Sequence, residues 1–274
     1  MEALPERQAP LVDASRPDAP RVYNYLLGGK DNYAADRALA EQLESQAGGH
    51  ASVRELARVN RSFVLRAVQW SASMLAIGQF LDLGCGLPSV PSVHDAARDG
   101  HEGARVVYVD RDPMVISHAA ALMAGTGLAA IRADVADPAR VLEVVADLQV
   151  PGGALIDLAK PAAAIFGGTL SAMPADVARS AVKAYAAALA PGSAVIISCA
   201  SYADTGLGER MAGLYSAAGE WRNHGYEDVE SFFLGADLRI LHGRPMDARC
   251  WPACPLEERD RAGAQVIGGI GIRP

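Results

Sequence analysis

From residue 79 onward, short apolar runs rich in β-branched residues alternate with helical stretches, one unit about every 25–30 residues. That alternation leaves few folds open. Crossover helices bring successive strands back to the same end, so the strands lie parallel and both sheet faces are covered. The strands expected are QFLDL (79–83), ARVVYVD (104–110), AAIRAD (129–134) and the apolar runs at 162–166 and 194–198. Asp112-Pro113 and Asp137-Pro138 each put an N-cap and a first-turn proline after a strand, and Pro191-Gly192 stops a helix over 175–190. Two further runs, ADLRIL (236–241) and AQVIGGIGI (264–272), are joined by a Pro- and Cys-containing loop too short for a typical crossover helix, which predicts a closing antiparallel pair. The reading is an α/β fold with a mostly parallel seven-stranded sheet and helices on both faces.

Residues 1–20 carry Pro5, Pro10, Pro17 and Pro20 and read as a flexible tail, and residues 21–77 read as a helical cap. The cap breaks at Gly28-Gly29 and again near Gly48-Gly49, then presents Val53, Leu56, Ala57, Phe63, Val64, Ala67 and Val68 at helical spacing. Residues 78–274 form the sheet domain. Half of the 274 residues are hydrophobic, enough for a sizeable core, and the net charge of −7 lacks the basic footprint of a nucleic-acid binder. No apolar run approaches the ~18–20 residues of a membrane helix. MEALPERQAP lacks the apolar region of a signal peptide, and four cysteines are too few for a disulfide scaffold. These features predict a soluble cytoplasmic protein with no membrane partner.

An open parallel sheet binds ligands outside the carboxyl ends of its strands. Asp82, Asp110 and Asp134 arrive at or near that edge from three successive strands, at spacings of 28 and 24 residues, with Gly84-x-Gly86 directly after the first acid. A dinucleotide would set its pyrophosphate on the glycine turn, but the third glycine position is Ser89 and Pro88 removes a donor. At ~4 Å and an effective dielectric near 20, Asp82 would repel a phosphate charge by about 4 kcal/mol. S-adenosylmethionine has no phosphate, and its ammonium and sulfonium tolerate acidic walls. In that reading Asp82 lines the amino-acid end, Asp110 accepts both ribose hydroxyls, Asp134 accepts from the adenine amino group, and the Val135 N–H faces a ring nitrogen. Other chemistries lack support. Gly28-Gly29-Lys30 is not a phosphate loop, Cys250 and Cys254 have no second ligand pair for a metal, and neither a GxSxG elbow nor an HExxH helix is present.

FLDLGCGLPS, VVYVDRDPMVISHAAAL and IRADVADP resemble successive cofactor motifs of class I S-adenosylmethionine-dependent methyltransferases. RVYNYLLGGKDNYAADR and NRSFVLRAV resemble one bacterial branch of that class, long labelled a family of unknown function, and the likeness runs from Arg21 to the terminal GGIGIRP. The resemblance implies a Rossmann-like fold with a cap over the cofactor pocket. Tyr23, Lys30, Asp31, Asn32, Asn60 and Arg61 match the cap signature, so Tyr23, Asn32 and Arg61 join the cofactor set, as does Arg111 beside Asp110. Two departures stand out: Cys85 replaces a frequent Thr, and GGTLSAMPAD lacks the ring that relatives usually carry before the Pro-Asp.

On the acceptor side, Tyr202, Tyr215, Trp221, His224 and Tyr226 follow the fifth strand, and His224, Tyr202 and Tyr226 are the candidates for catalysis. Only His224 has an ordinary pKa suited to a base near neutral pH. The expected activity is methyl transfer to a small-molecule acceptor such as a natural-product intermediate in secondary metabolism, by a chain compatible with a homodimer. The alternatives are cyclisation or aminocarboxypropyl transfer with the same cofactor, cofactor binding without turnover, and, last, an NAD-dependent oxidoreductase.

Overall fold

The computed structural model describes residues 12–48, 52–122, 125–150, 153–252 and 263–274. Residues 1–11 of the expected tail and Cys254 of the cysteine pair lie outside them. Three helices come first: α1 (Ala19–Leu26), α2 (Ala34–Ala47) and α3 (Val53–Met74). The alternating part contains β1 (Gln79–Leu83), α4 (Val93–Gly100), β2 (Arg105–Asp110), α5 (Pro113–Leu122), β3 (Leu128–Arg132) and α6 (Pro138–Asp147). A small hairpin of β4 (Gln149–Val150) and β5 (Gly153–Ala154) precedes β6 (Ala163–Gly167), a 3-10 turn at Thr169–Ala172, α7 (Ala175–Ala188) and β7 (Ala194–Tyr202). Then come α8 (Thr205–Tyr215), α9 (Tyr226–Leu234), β8 (Arg239–Ile240), β9 (Met246–Asp247) and β10 (Ala264–Ile272).

The main sheet runs β3-β2-β1-β6-β7-β10-β8, with β9 pairing off β10. The five strands from β3 to β7 are parallel, and β10 is antiparallel to its neighbours. This is the α/β, mostly parallel, Rossmann-like sheet expected. Chain order reverses beside β1, which has β2 on one side and β6 on the other, so the ligand-binding crevice opens at its carboxyl end. Side chains of the central strands alternate between two cores: Phe80, Val106, Tyr108 and Ile165 face one, Leu81, Val107, Val109 and Phe166 the other. The first core takes α3 and α4, the second α6, α7 and α9.

Asp112 and Asp137 act as read: Asp112 Oδ1 accepts from the Met114 N–H at 2.7 Å and Asp137 Oδ1 from the Arg140 N–H at 3.1 Å. Some boundaries moved. β7 extends to Tyr202 because β10 pairs with it from Ala194 onward. The run at 236–241 shrinks to Arg239–Ile240, since Asp237 and His242 take left-handed backbone at its two ends, but it pairs antiparallel with β10 as expected. α1 begins at Ala19, so Pro20 starts a helix where a loose tail was expected.

The cap is tied together by buried polar groups. Asp36 has no exposure and accepts from Arg21 Nε at 2.9 Å, the Asp18 N–H at 2.9 Å and the Tyr33 N–H at 2.7 Å, pinning α1 to α2. Ser52 caps α3, whose buried stripe Leu56, Ala57, Asn60, Phe63, Val64, Ala67, Val68 lies against the sheet. Among the described residues no helix is long and apolar enough to cross a membrane.

Candidate active site

Where β1 ends, the chain must turn without leaving the sheet edge. Gly84 and Gly86 do this with left-handed backbone, and a Cβ at Gly84 would sit 2.4 Å from Thr169 Cγ2. A Cβ at Gly86 would meet nothing, because it would enter a cavity of about 430 Å³ that this turn borders. The Gly84 and Cys85 N–H groups both donate to the Val109 carbonyl, at 2.8 and 3.0 Å, and the Gly86 N–H donates to Asp110 Oδ2 at 3.0 Å. All three turn amides are spent inside the chain. Helix α4 starts later, at Val93, and its Ser92–Asp95 capping box occupies its own first turn. A pyrophosphate would find few of the free donors it requires, which weighs against a dinucleotide.

The same geometry suits a nucleoside. Asp110, 8% exposed at the end of β2, accepts from the Gly86 and Asp112 N–H groups, which use two of a carboxylate's four acceptor positions and leave capacity for two hydroxyls. Burial raises its pKa. Asp134 stands just beyond β3, half exposed, with Oδ1 on the Ala136 N–H and Oδ2 3.9 Å from Arg111. Val135 is buried beside it, and its N–H donates to no described residue. All of Asp110, Arg111, Asp134, Val135, Gly84 and Gly86 line the cavity.

Asp82 does not line it; the residue is 6% exposed, and its carboxylate accepts no hydrogen bond from any described residue. Burial pushes its pKa up to about 7, against the pull of the Arg61 guanidinium and with a further push from Asp110. Arg61 does not line the cavity either. It donates to the Ser89 and Pro91 carbonyls at 3.4 and 2.6 Å, while its Nε is buried without a partner. Neither group lines the cavity, so the fit to a cofactor rests on the nucleoside end, where Asp110, Asp134 and the free Val135 N–H meet what a ribose and an adenine offer. The residues present therefore fit S-adenosylmethionine.

Of the six cap-signature residues, Tyr23 and Asn60 reach the cavity. The Tyr23 hydroxyl donates to the Ala57 carbonyl and accepts from Asn60 Nδ2 at 2.9 Å, while Asn60 Oδ1 accepts from Ser198 at 2.6 Å, joining α3 to β7. Asn32 does not reach it. Its Nδ2 donates to Asn24 Oδ1 and to the Gly29 carbonyl, closing the loop after α1, and Lys30 and Asp31 are exposed. Much of the cap signature is therefore scaffold.

Tyr202 lines the cavity, but the other two catalytic candidates do not. His224 is buried behind the 3-10 turn, with Nε2 3.2 and 3.0 Å from the Leu170 and Met173 carbonyls. With its ring nitrogen spent on the backbone it holds that turn instead of facing a reactant. The Tyr226 hydroxyl, at the start of α9, donates to Gln265 at 3.3 Å. The residues the sequence did not single out are the apolar ones: Leu26, Leu43, Val53, Leu56, Met173 and Met211 wall the far lobe of the cavity. The helical spacing of Val53 and Leu56 was visible, but it reads the same for a closed core as for a pocket wall.

The sequence matches a family described as S-adenosyl methyltransferase over residues 5–273. Two solved structures are similar along nearly the whole chain. A protein from Thermobifida fusca YX described as a candidate methyltransferase is 36% identical over 95% of this chain and 96% of that one, with a TM-score of 0.82. A DUF574 family protein from Streptomyces avermitilis MA-4680 is 27% identical over 96% and 99%, also with a TM-score of 0.82. No functionally curated protein matches. The acid-lined strand edge, the spent turn amides and the full-length family match agree: this chain belongs to the S-adenosyl methyltransferase family, with S-adenosylmethionine as its cofactor.

Proposed function

We propose that the chain transfers a methyl group to a small-molecule acceptor, of the kind met in natural-product pathways, held in the lobe under the helical cap. One observation carries this reading: a single cavity joins the acidic strand edge at Asp110 and Asp134 to an apolar lobe walled by α1, α2, α3 and α8. Its volume, about 430 Å³, falls within the usual range of small-ligand sites.

When bound, the cofactor supplies a methyl group already activated by a positively charged sulfur. The chain's own work is therefore placement and dehydration. Asp110 holds the ribose, and Val135 and Asp134 the adenine. The cap excludes water: Leu26, Leu43 and Leu56 are each 3% exposed or less. No histidine or lysine is among the described residues lining the cavity, so an acceptor that must lose a proton would release it to solvent or to a carboxylate.

The test has two stages. Calorimetric titration with S-adenosylhomocysteine establishes the cofactor site. Incubation with isotopically methyl-labelled S-adenosylmethionine and a panel of phenols, amines and hydroxylated polycycles, read by mass spectrometry, is expected to give a product heavier by one labelled methyl in place of hydrogen. Transfer of the aminocarboxypropyl group instead, or tight cofactor binding with no labelled product from any acceptor class, overturns the proposal.

A further inference from the structure

We infer that Tyr202 and Tyr215 are the specificity-determining pair of the acceptor lobe, selecting neutral, flat ring systems that carry a hydroxyl or carbonyl group and refusing anions. The inference rests on reading this lobe as the acceptor site.

Tyr202 is held with unusual care. It is 5% exposed at the end of β7, its N–H donates to Asn223 Oδ1 at 2.7 Å, and Asn223 Nδ2 donates back to its carbonyl at 2.9 Å. Its ring lies edge-on to Trp221, centroids 5.9 Å apart. Backbone and ring are fixed, yet the hydroxyl bonds to no described residue and is not among the sealed, unpartnered atoms. Tyr215, the last residue of α8, lines the same cavity and its hydroxyl is likewise without a partner in the described chain. A largely buried tyrosine hydroxyl ordinarily finds a hydrogen-bond partner. Tyr23 on the same wall shows the ordinary case, with its hydroxyl bonded to Ala57 and Asn60. Two of the three phenols are thus left for something the chain does not supply.

Charge narrows the class. Burial pushes the Tyr202 phenol up to about 12 and raises that of Tyr215, so both are protonated and can donate as well as accept. Around them the lobe is apolar, and its titratable neighbours are carboxylates. Glu220 pairs with Arg222 at 3.1 Å, and the buried Oδ1 of Asp18, close to Tyr215, has no partner. An anion placed here would meet carboxylates, and the arginine on the cavity wall, Arg111, already stands 3.9 Å from Asp134 at the strand edge. A neutral ring bearing a hydroxyl or carbonyl satisfies both phenols.

The test uses the full chain saturated with S-adenosylhomocysteine and three probes of one shape: 2-naphthol, 2-methylnaphthalene and naphthalene-2-carboxylate. Saturation is established first by calorimetry; failure to bind S-adenosylhomocysteine would overturn the cofactor reading, separately from this one. The expected order is 2-naphthol tightest, 2-methylnaphthalene at least fivefold weaker and the carboxylate at least tenfold weaker. Tyr202→Phe and Tyr215→Phe should each shrink the naphthol-to-methylnaphthalene ratio, and the double variant should bring it within twofold of unity. That ratio is taken within one variant, so general loosening of the fold does not imitate it, and a thermal melt confirms folding. An unchanged ratio in the double variant, preference for the carboxylate, or binding of none of the probes overturns the inference.

Discussion

Replacing Asp82 by asparagine should make the protein more stable, and the pH dependence of the gain should reveal its cause. In the folded chain Asp82 is buried without a hydrogen bond from any described residue, and its pKa rises from 3.8 to about 7. The sign follows from proton counting. Between pH 4 and 7 the unfolded chain has lost this proton while the folded chain keeps it, so stability falls as pH rises across that window. The penalty is absent below about pH 4 and complete above about pH 7. A pKa difference of about 3 between the folded and unfolded chain is worth about 4 kcal/mol, and local relaxation lowers this to roughly 2–4 kcal/mol. Asparagine mimics the protonated acid and carries no such penalty. D82N should therefore match the wild type in urea denaturation at pH 4 and exceed it by about 2–4 kcal/mol at pH 8, with a melting temperature higher by about 2–4 °C per kcal/mol. Because Asp82 stands off the cavity wall, affinity for S-adenosylhomocysteine at pH 8 should change by less than about threefold in calorimetry. A variant less stable than wild type at both pH values refutes the reasoning.

Asp110→Ala should weaken S-adenosylhomocysteine binding by about 1.5–3 kcal/mol, the scale of hydrogen bonds to a charged group, measured by calorimetry; unchanged affinity in a folded variant would remove Asp110 from the site. Asp36→Ala leaves Arg21 buried without its counter-charge and should cost about 3–5 kcal/mol in denaturant titration, with a loss of a few tenths marking the pair as dispensable. His224→Phe removes the ring nitrogen from the Met173 carbonyl and from the Leu170 carbonyl, which keeps the Met173 N–H, and should cost about 1–3 kcal/mol, while leaving the pH–rate profile of methyl transfer in place. Loss of its neutral-pH limb would instead return His224 to the chemistry.

The sheet and its acid edge were legible because their determinants are local. The first three strands of the sheet domain each end near an acid, each Asp-Pro starts a helix, and the interval between those acids is one strand–helix unit. The cap was legible only as helices. Whether Asn32 and Arg61 face a ligand or the backbone depends on which third body covers that turn, and spacing along the chain carries no such information. His224 suggested a base on chemistry alone, but two carbonyls from a turn more than 50 residues earlier claim it. Asn60 did leave a trace, a polar residue within an otherwise apolar stripe. Its partner Ser198, 138 residues on, did not.

Helix α3 belongs to both the cap and the sheet sandwich, packing against α4, β6, β7 and β10 while its Val53, Leu56 and Asn60 border the cavity. The roof therefore cannot lift as one piece without tearing a main core. Passage of a guest falls instead to the shorter α1 and α2, where the Ala19 N–H is stitched to the Ala218 carbonyl at 3.2 Å. Local opening along that seam is the remaining route for a guest, and hydrogen exchange at the Ala19 amide would report how often it opens.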